Sequence, residues 1–451
     1  MLCGFHTPLL TRTRSHKPAK DIELMGTTLK KLLTLNVSVS LFIMMIRASS
    51  LVMKFVLTLF IARYLGFEAL GMYGLIAAAC VIAPSTVGFS FMYTISRKAV
   101  MLSQKEIMRE LGYYFKLTIL IYLVLCVATG IAGSIQGQLI FFLSVLVLVF
   151  LEHLSTDIYT LLLNLSKPLA ANVLHFIRSS VWMVVFMALA FFVPSLRTME
   201  TLIVLWAIGS ITSLLCFIWV IRHWERAEDT APVSLVSWFT NEFRESRTAY
   251  FTSFLRSIAQ YLNHFLITIF LGIELTGVFV FYMQITSAMS NLLQTGIIQI
   301  AKPRLIRHHK SHNMAEYWNT YKQCLKHTVF TALLMCCVAV PGIYVLTHYL
   351  IDKPLAIEWL PIFWWLLALF VVSNVSEVNK LLFYSQHRDD LLLKLFVLTF
   401  PVALVVNTIL IYTLGLWGVI WSTLLLNIIG FMLQLKYARK MNNELEKSHE
   451  Q

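Results

Sequence analysis

The sequence predicts an all-α integral membrane protein of about 12 transmembrane helices, arranged as two six-helix lobes that form a parallel internal repeat. Three observations carry that expectation: an apolar composition, twelve long hydrophobic stretches, and cations confined to alternate loops. The chain is 58% hydrophobic and 13% charged, with a mean hydropathy of +0.74. A soluble globular domain is roughly 45–50% apolar, so lipid rather than water is the main solvent here.

A spanning helix needs about 20 mostly apolar residues, because it rises ~1.5 Å per residue through a hydrocarbon core about 30 Å thick. Stretches that meet this length are 37–63, 69–96, 113–134, 138–163, 169–193 and 200–222, followed by 247–271, 275–300, 323–349, 358–384, 391–413 and 415–436. Membrane β-strands would alternate polar and apolar residues, and runs such as Leu139–Val149 do not. Pro84, Pro341 and Pro401 fall inside spans and are read as kinks.

The formal charge of +13 would suit a nucleic-acid partner if it formed one patch, but it is spread along the chain. With a cytoplasmic N-terminus, 28 of the 36 Lys and Arg residues fall on inner segments, only Arg63, Arg197 and Lys353 fall outside, and five lie within spans. The positive-inside rule then places both termini in the cytoplasm and demands an even number of spans. No nucleic-acid partner is expected; the partner is a lipid bilayer.

The cytoplasmic N-terminal segment is 1–36, of which 1–24 lacks an apolar core for a signal peptide and is read as disordered or not translated. Residues 37–222 form the first lobe, 223–246 a cytoplasmic linker, 247–436 the second lobe and 437–451 a cytoplasmic tail. Duplication is visible in the residues. Leu65-Gly66-Phe67-Glu68-Ala69-Leu70-Gly71-Met72-Tyr73 recurs as Leu271-Gly272-Ile273-Glu274-Leu275-Thr276-Gly277-Val278-Phe279, both reading L-G-x-E-x-x-G-x-aromatic. The motif predicts a tight turn, with glycine supplying positive φ and glutamate facing the positive end of the next helix. Two six-helix halves enter the membrane in the same sense, which predicts a central cavity between lobes.

Ionisable groups inside spans are costly, so they are the main functional signal. Arg47, Lys54, Arg178 and Arg256 lie near mid-depth. Arg47, Ser50 and Lys54 share one helical face in the first span; Ser253, Arg256, Gln260 and Asn263 form a similar stripe in the seventh, with His264 beside it. The eighth span adds Gln284, Ser287, Asn291 and Gln294. Such stripes either line a cavity, where neutral amides and hydroxyls suit a sugar, or hold helices together. Acids are fewer: Glu152, Asp157 and Glu377. His153 and Asp157, and Glu377 and Lys380, are spaced for local pairing or for an ion or proton relay. The seven cysteines show neither metal-ligand nor disulfide spacing.

No phosphate-binding loop, nucleophile elbow or zinc-protease motif is present, and no catalytic residue, cofactor or metal is expected. Energy must then come from gradients or substrate flux.

The segment Leu57-Thr58-Leu59-Phe60-Ile61-Ala62-Arg63-Tyr64-Leu65-Gly66-Phe67-Glu68-Ala69-Leu70-Gly71-Met72-Tyr73-Gly74-Leu75 resembles the first-to-second-helix region of polysaccharide exporters and O-antigen flippases. These belong to the multidrug/oligosaccharidyl-lipid/polysaccharide superfamily, and the resemblance implies a MATE/MOP-like fold. It further implies a flippase for undecaprenyl-pyrophosphate-linked oligosaccharide in a bacterial cytoplasmic (inner) membrane, working by alternating access alongside a polysaccharide polymerase and a chain-length regulator. Arginine suits pyrophosphate because its charge is permanent and its donors are paired. Arg47, Lys54, Arg178 and Arg256 are candidates by depth, with Gln260, Asn263, Gln284 and Asn291 beside them. Peptidoglycan-precursor flippases resemble the chain less, since they have fourteen spans. A MATE-type drug or cation antiporter is the rival; it needs acids in a lobe cavity, and spans one and seven hold none. A membrane-embedded polymerase or ligase would need a larger outer loop than the segment from His348 to Glu358.

Overall fold

A computed structural model describes residues 18–224, 234–311, 313–386 and 389–449. Among them the backbone is helical, without a strand. The chain divides into two compact units, the first ending at Ala48 and the second running from Ser49. The first holds the start of α1 (Pro18–Tyr64), so residues 18–24 are helical; residues 1–17 lie outside the described part.

Within the second unit the first half comprises α2 (Phe67–Thr86), α3 (Phe91–Lys98), α4 (Gln104–Ile135), α5 (Leu139–Asn164), α6 (Pro168–Phe176), α7 (Trp182–Phe192) and α8 (Met199–Ile221). The second half comprises α9 (Leu235–Leu271), α10 (Ile273–Leu293), α11 (Gln299–Lys310), α12 (Met314–Val345), α13 (Pro354–Glu358), α14 (Leu360–Ser385), α15 (Asp389–Leu414) and α16 (Leu416–His449). Polar caps start several of these. Ser103 and Glu106 form a capping box on α4, while Thr198, Ser234 and Asn313 accept from the first free N–H groups of α8, α9 and α12.

Among the described residues, ten helices are long and apolar enough to cross a membrane. Of the twelve expected spans, the seventh and eighth (α9 and α10) fall short on hydropathy, although their lengths, 37 and 21 residues, suffice. Their polar stripes explain the deficit: side chains that face a cleft need not be apolar.

Two expectations change. The second span, drawn as 69–96, breaks after Thr86: Phe89 and Ser90 take left-handed φ values of 48° and 55°, and α3 starts afresh at Phe91. Gly88 lets the break pack closely, because a Cβ there would lie 2.7 Å from His153 Nε2 and 2.9 Å from Tyr114 Oη. The linker drawn as 223–246 is helical from Leu235, and its residues 225–233 lie outside the described part. This helical portion docks on the first half. Glu242 accepts from Lys98 Nζ at 2.7 Å and from Thr94, Glu245 pairs with Lys98 at 2.8 Å, and Trp238 donates to Glu110 at 2.7 Å. Burial alone would favour the neutral Lys98 amine, but the two glutamates outweigh it and hold its pKa above the usual range.

The repeat is visible in the backbone. Gly66 and Gly272 both take positive φ, 96° and 93°, at the turns into α2 and α10. The second motif glycine does something the turn reading did not foresee. Gly71 and Gly277 face each other where α2 crosses α10: a Cβ on Gly71 would lie 2.1 Å from Ile273 O, and one on Gly277 would lie 1.8 Å from Phe67 O. Equivalent residues meet reciprocally, as at a two-fold interface, and only glycine lets the backbones approach this closely.

One core spans both halves at the end where these turns lie, joining Leu57, Phe186 and Leu202 to Phe281, Phe363 and Leu416. Toward the opposite, basic end the packing separates. One cluster there, with Phe91, Tyr114 and Leu161, belongs to the first half and the docked start of α9; another, with Leu305, Tyr317 and Leu382, belongs wholly to the second. The halves are therefore joined at one end and have separate cores at the other.

A latch closes the joined end. The π-helical turn Leu346–Ile351 presents the Leu350 carbonyl, which accepts from Arg63 Nη1. Arg197 lies 4.6 Å from the Tyr64 ring centroid beside it. Arg63→Ala is expected to loosen this end. Pulsed-EPR distances between spin labels at Ile135 and Tyr349, both exposed there, should broaden to longer values; an unchanged distribution would show that Arg63 holds nothing closed.

Candidate functional site

In the first half, α5 carries two polar networks on adjacent residues. Glu152 reaches Arg178, whose Nε lies 3.5 Å from its Oε2, and accepts from Ser210 Oγ at 2.6 Å. Arg178 Nη1 donates to Thr156 Oγ1 at 2.9 Å. A π-helical turn, Ile177–Val181, aims this arginine and also buries Ser180, which donates to Ser50 of α1 at 2.8 Å. Lys54, one turn beyond Ser50, lies within electrostatic reach of both Arg178 and Glu152. Arg178 and Glu152 thus form an ion pair deep among helices, where charge is poorly solvated.

The second network faces α4. His153 Nε2 lies 3.1 Å from Asp157 Oδ2 and 3.0 Å from Tyr114 Oη, Tyr122 Oη lies 3.2 Å from His153 Nδ1, and Tyr114 donates to Asp157. All four side chains are buried. Glycine at 88 lets the α2–α3 break press onto this network.

The second half has no such ionic cluster among its described residues; it has a cavity. A cleft of about 340 Å³ lies between α9, α10, α14 and α16, lined by Gln260, Asn263, Thr286, Ser287, Ser290, Asn291, Ser373 and Thr423 with apolar walls from Phe279, Met283, Phe370 and Val419. Its lining contains amides and hydroxyls but no charged side chain. Asn263 donates weakly to Thr423 at 3.4 Å and leaves its buried Oδ1 without a partner. Gln260 and Lys54 lie 206 residues apart, the repeat offset, so matching faces of matching helices address a charged cluster in one half and a neutral cavity in the other.

The remaining candidates are dispersed. Arg256 is exposed on α9, four residues before Gln260 on the cavity-lining face. Arg47 is exposed on α1 and belongs to the first unit. Gln284 is half-buried on α10, outside the cavity lining. Glu377 and Lys380 pair with each other on α14, both about two-fifths exposed. Sequence reasoning noted Glu152 but did not join it to Arg178, and it missed Tyr114, Ser210 and Gly88. Depth could have found the first pair: Glu152 lies 14 residues before Ser166 at the α5–α6 turn and Arg178 lies 12 after it, a difference of about 3 Å along the membrane normal.

No protein-family model matches the chain, and no curated protein matches it. Solved structures do. An inward-facing multidrug-resistance transporter of the MATE family superposes with a TM-score of 0.66 at 15% identity, over 88% of this chain and 96% of that one. The lipid II flippase MurJ in an inward closed conformation gives 0.69 at 12% identity, over 88% and 87%. An outward-facing MATE-family transporter gives 0.54 at 14% identity, over 90% and 95%. The chain therefore has an all-helical fold similar to that of the MATE and MurJ structures.

Proposed function

We propose that this protein is a flippase that carries an undecaprenyl-pyrophosphate-linked oligosaccharide, of the O-antigen or a similar surface-polysaccharide type, from the cytoplasmic to the outer leaflet by alternating access. The observation that carries this reading is the neutral cavity of the second half with Arg256 one turn away. Sugar hydroxyls both donate and accept, and so do the amides and hydroxyls that line it. A cationic drug would instead need an unspent carboxylate. The two buried acids of the first half are already engaged, Glu152 by Arg178 and Ser210, Asp157 by His153 and Tyr114.

Arg256, Arg178 and Lys54 supply the positive field for the pyrophosphate, and Gln260, Asn263 and Asn291 contact the sugar. Halves joined at one end and separate at the basic end correspond to a state open to the cytoplasm. Transport then proceeds by rocking the lobes about the α2–α10 crossing. We assign His153–Asp157 and Glu377–Lys380 to structural pairing.

Complementation tests the reading. Bacteria that lack their own oligosaccharide-lipid flippase should regain surface polymer when they express this chain with a compatible glycan pathway. Arg256→Ala should cut that polymer at least tenfold at equal membrane abundance, and Arg256→Lys should retain more of it. Resistance to cationic drugs without polymer from any pathway would favour the antiporter.

A further inference from the structure

The basic end of the second half holds a groove that the proposed transport path does not use. It lies between α11 and α12, encloses about 260 Å³ and is lined by Arg304, Thr320, Gln323 and His327 with Ile297 and Ile300. A π-helical turn, Gln294–Ile298, precedes α11 beside it, and Pro303 lies inside α11, so the stretch departs from regular α-helical geometry at that turn, where the groove forms.

Each of these four polar side chains can donate, through a guanidinium, a hydroxyl, an amide and an imidazole. The charge around the groove is one-sided. Residues 299–328 hold Lys302, Arg304, Arg307, Lys310, Lys322 and Lys326 against the single acid Glu316. Such a donor set selects an anion. The next turns of α12 select a lipid: Gln323, His327, Phe330 and Leu334 share one helical face, and Phe330 and Leu334 are 66% and 55% exposed. A polar, cationic groove at the basic end thus continues into an exposed apolar strip.

We propose that this groove binds the phosphate of an anionic membrane lipid, with the lipid's chain lying along Phe330 and Leu334. Basic pockets between spanning helices on the cytoplasmic side recognise lipid headgroups through this combination of charge and apolar contact. Arg304 is the principal donor, because its fork matches two phosphate oxygens.

The test uses the full chain, delipidated in detergent, and reads binding by native mass spectrometry and by the shift in melting midpoint. Short-chain phosphatidylglycerol should bind and stabilise, whereas phosphatidylcholine and inorganic phosphate at equal concentration should not. Arg304→Gln/His327→Gln should weaken phosphatidylglycerol binding at least tenfold, and Arg304→Lys should weaken it less, because it keeps the charge but loses the fork. Lys105→Gln/Arg109→Gln, which removes two cations from α4 instead, should leave it unchanged. Equal binding by the groove variant, equal loss in the α4 variant, or stabilisation by inorganic phosphate that matches the lipid would each overturn the proposal.

Discussion

Arg178→Leu is expected to abolish transport and to destabilise the fold by about 3–5 kcal/mol, since it leaves the Glu152 carboxylate buried with only Ser210 and the more distant Lys54 for company. Glu152→Leu should cost a similar amount for the converse reason, leaving Arg178 and Lys54 to repel each other. The double replacement separates structure from function. A buried pair exchanged for apolar residues of similar volume is often neutral or stabilising, so the double variant should recover most of the lost stability. It should not recover transport: removing the pair leaves the net charge unchanged but takes away the paired donors of the guanidinium. Thermal unfolding of the three variants, with surface polymer as the activity readout, decides the matter. Restored stability together with full activity would reduce Arg178 to a structural partner and take it out of the site.

Gly277→Val is expected to reduce transport at least tenfold by prising α2 from α10. Its Cβ would lie 1.8 Å from Phe67 O and 2.9 Å from Gly71 N, and backbone cannot turn aside as a side chain can. Gly74→Ala is the graded control. There the obstacle is Val280 Cγ2 at 2.6 Å, so Gly74→Ala should be milder and Gly74→Ala/Val280→Ala should recover much of the loss. If the joined end is the fulcrum of rocking, Gly277→Val should also lengthen the distance between labels at Ile135 and Tyr349. Normal transport by Gly277→Val would contradict the crossing as a working contact.

The membrane architecture was legible because it rests on quantities that sequence carries directly: length, apolarity, and the side on which cations fall. The repeat was legible through Gly66 and Gly272, which need positive φ locally. What Gly71 and Gly277 do was not, since a contact between residues 206 positions apart is a tertiary fact. The stripe Gln260, Asn263 and Asn291 was readable as helical periodicity and lines one cavity, whereas Gln284 falls outside that lining. Local pairing spacings, 153 with 157 and 377 with 380, needed only helix geometry. Glu152 and Arg178 needed two helices placed side by side. The π-helical turns at Ile177, Gln294 and Leu346 shift side-chain direction, and no residue pattern announces them. Each accompanies a feature that sequence missed: the aim of Arg178, the α11–α12 groove and the carbonyl that holds Arg63.

Flipping by the purified protein is the decisive observation. Proteoliposomes carrying a fluorescent polyprenyl-pyrophosphate oligosaccharide in both leaflets would be treated with a membrane-impermeant quencher of the label. With this protein the protected inner-leaflet pool should become accessible, Arg256→Ala should slow that step at least tenfold, and a cationic dye in parallel vesicles should not move. A protected pool that stays protected while the cationic dye is transported would contradict lipid-linked oligosaccharide flipping and make the protein an antiporter.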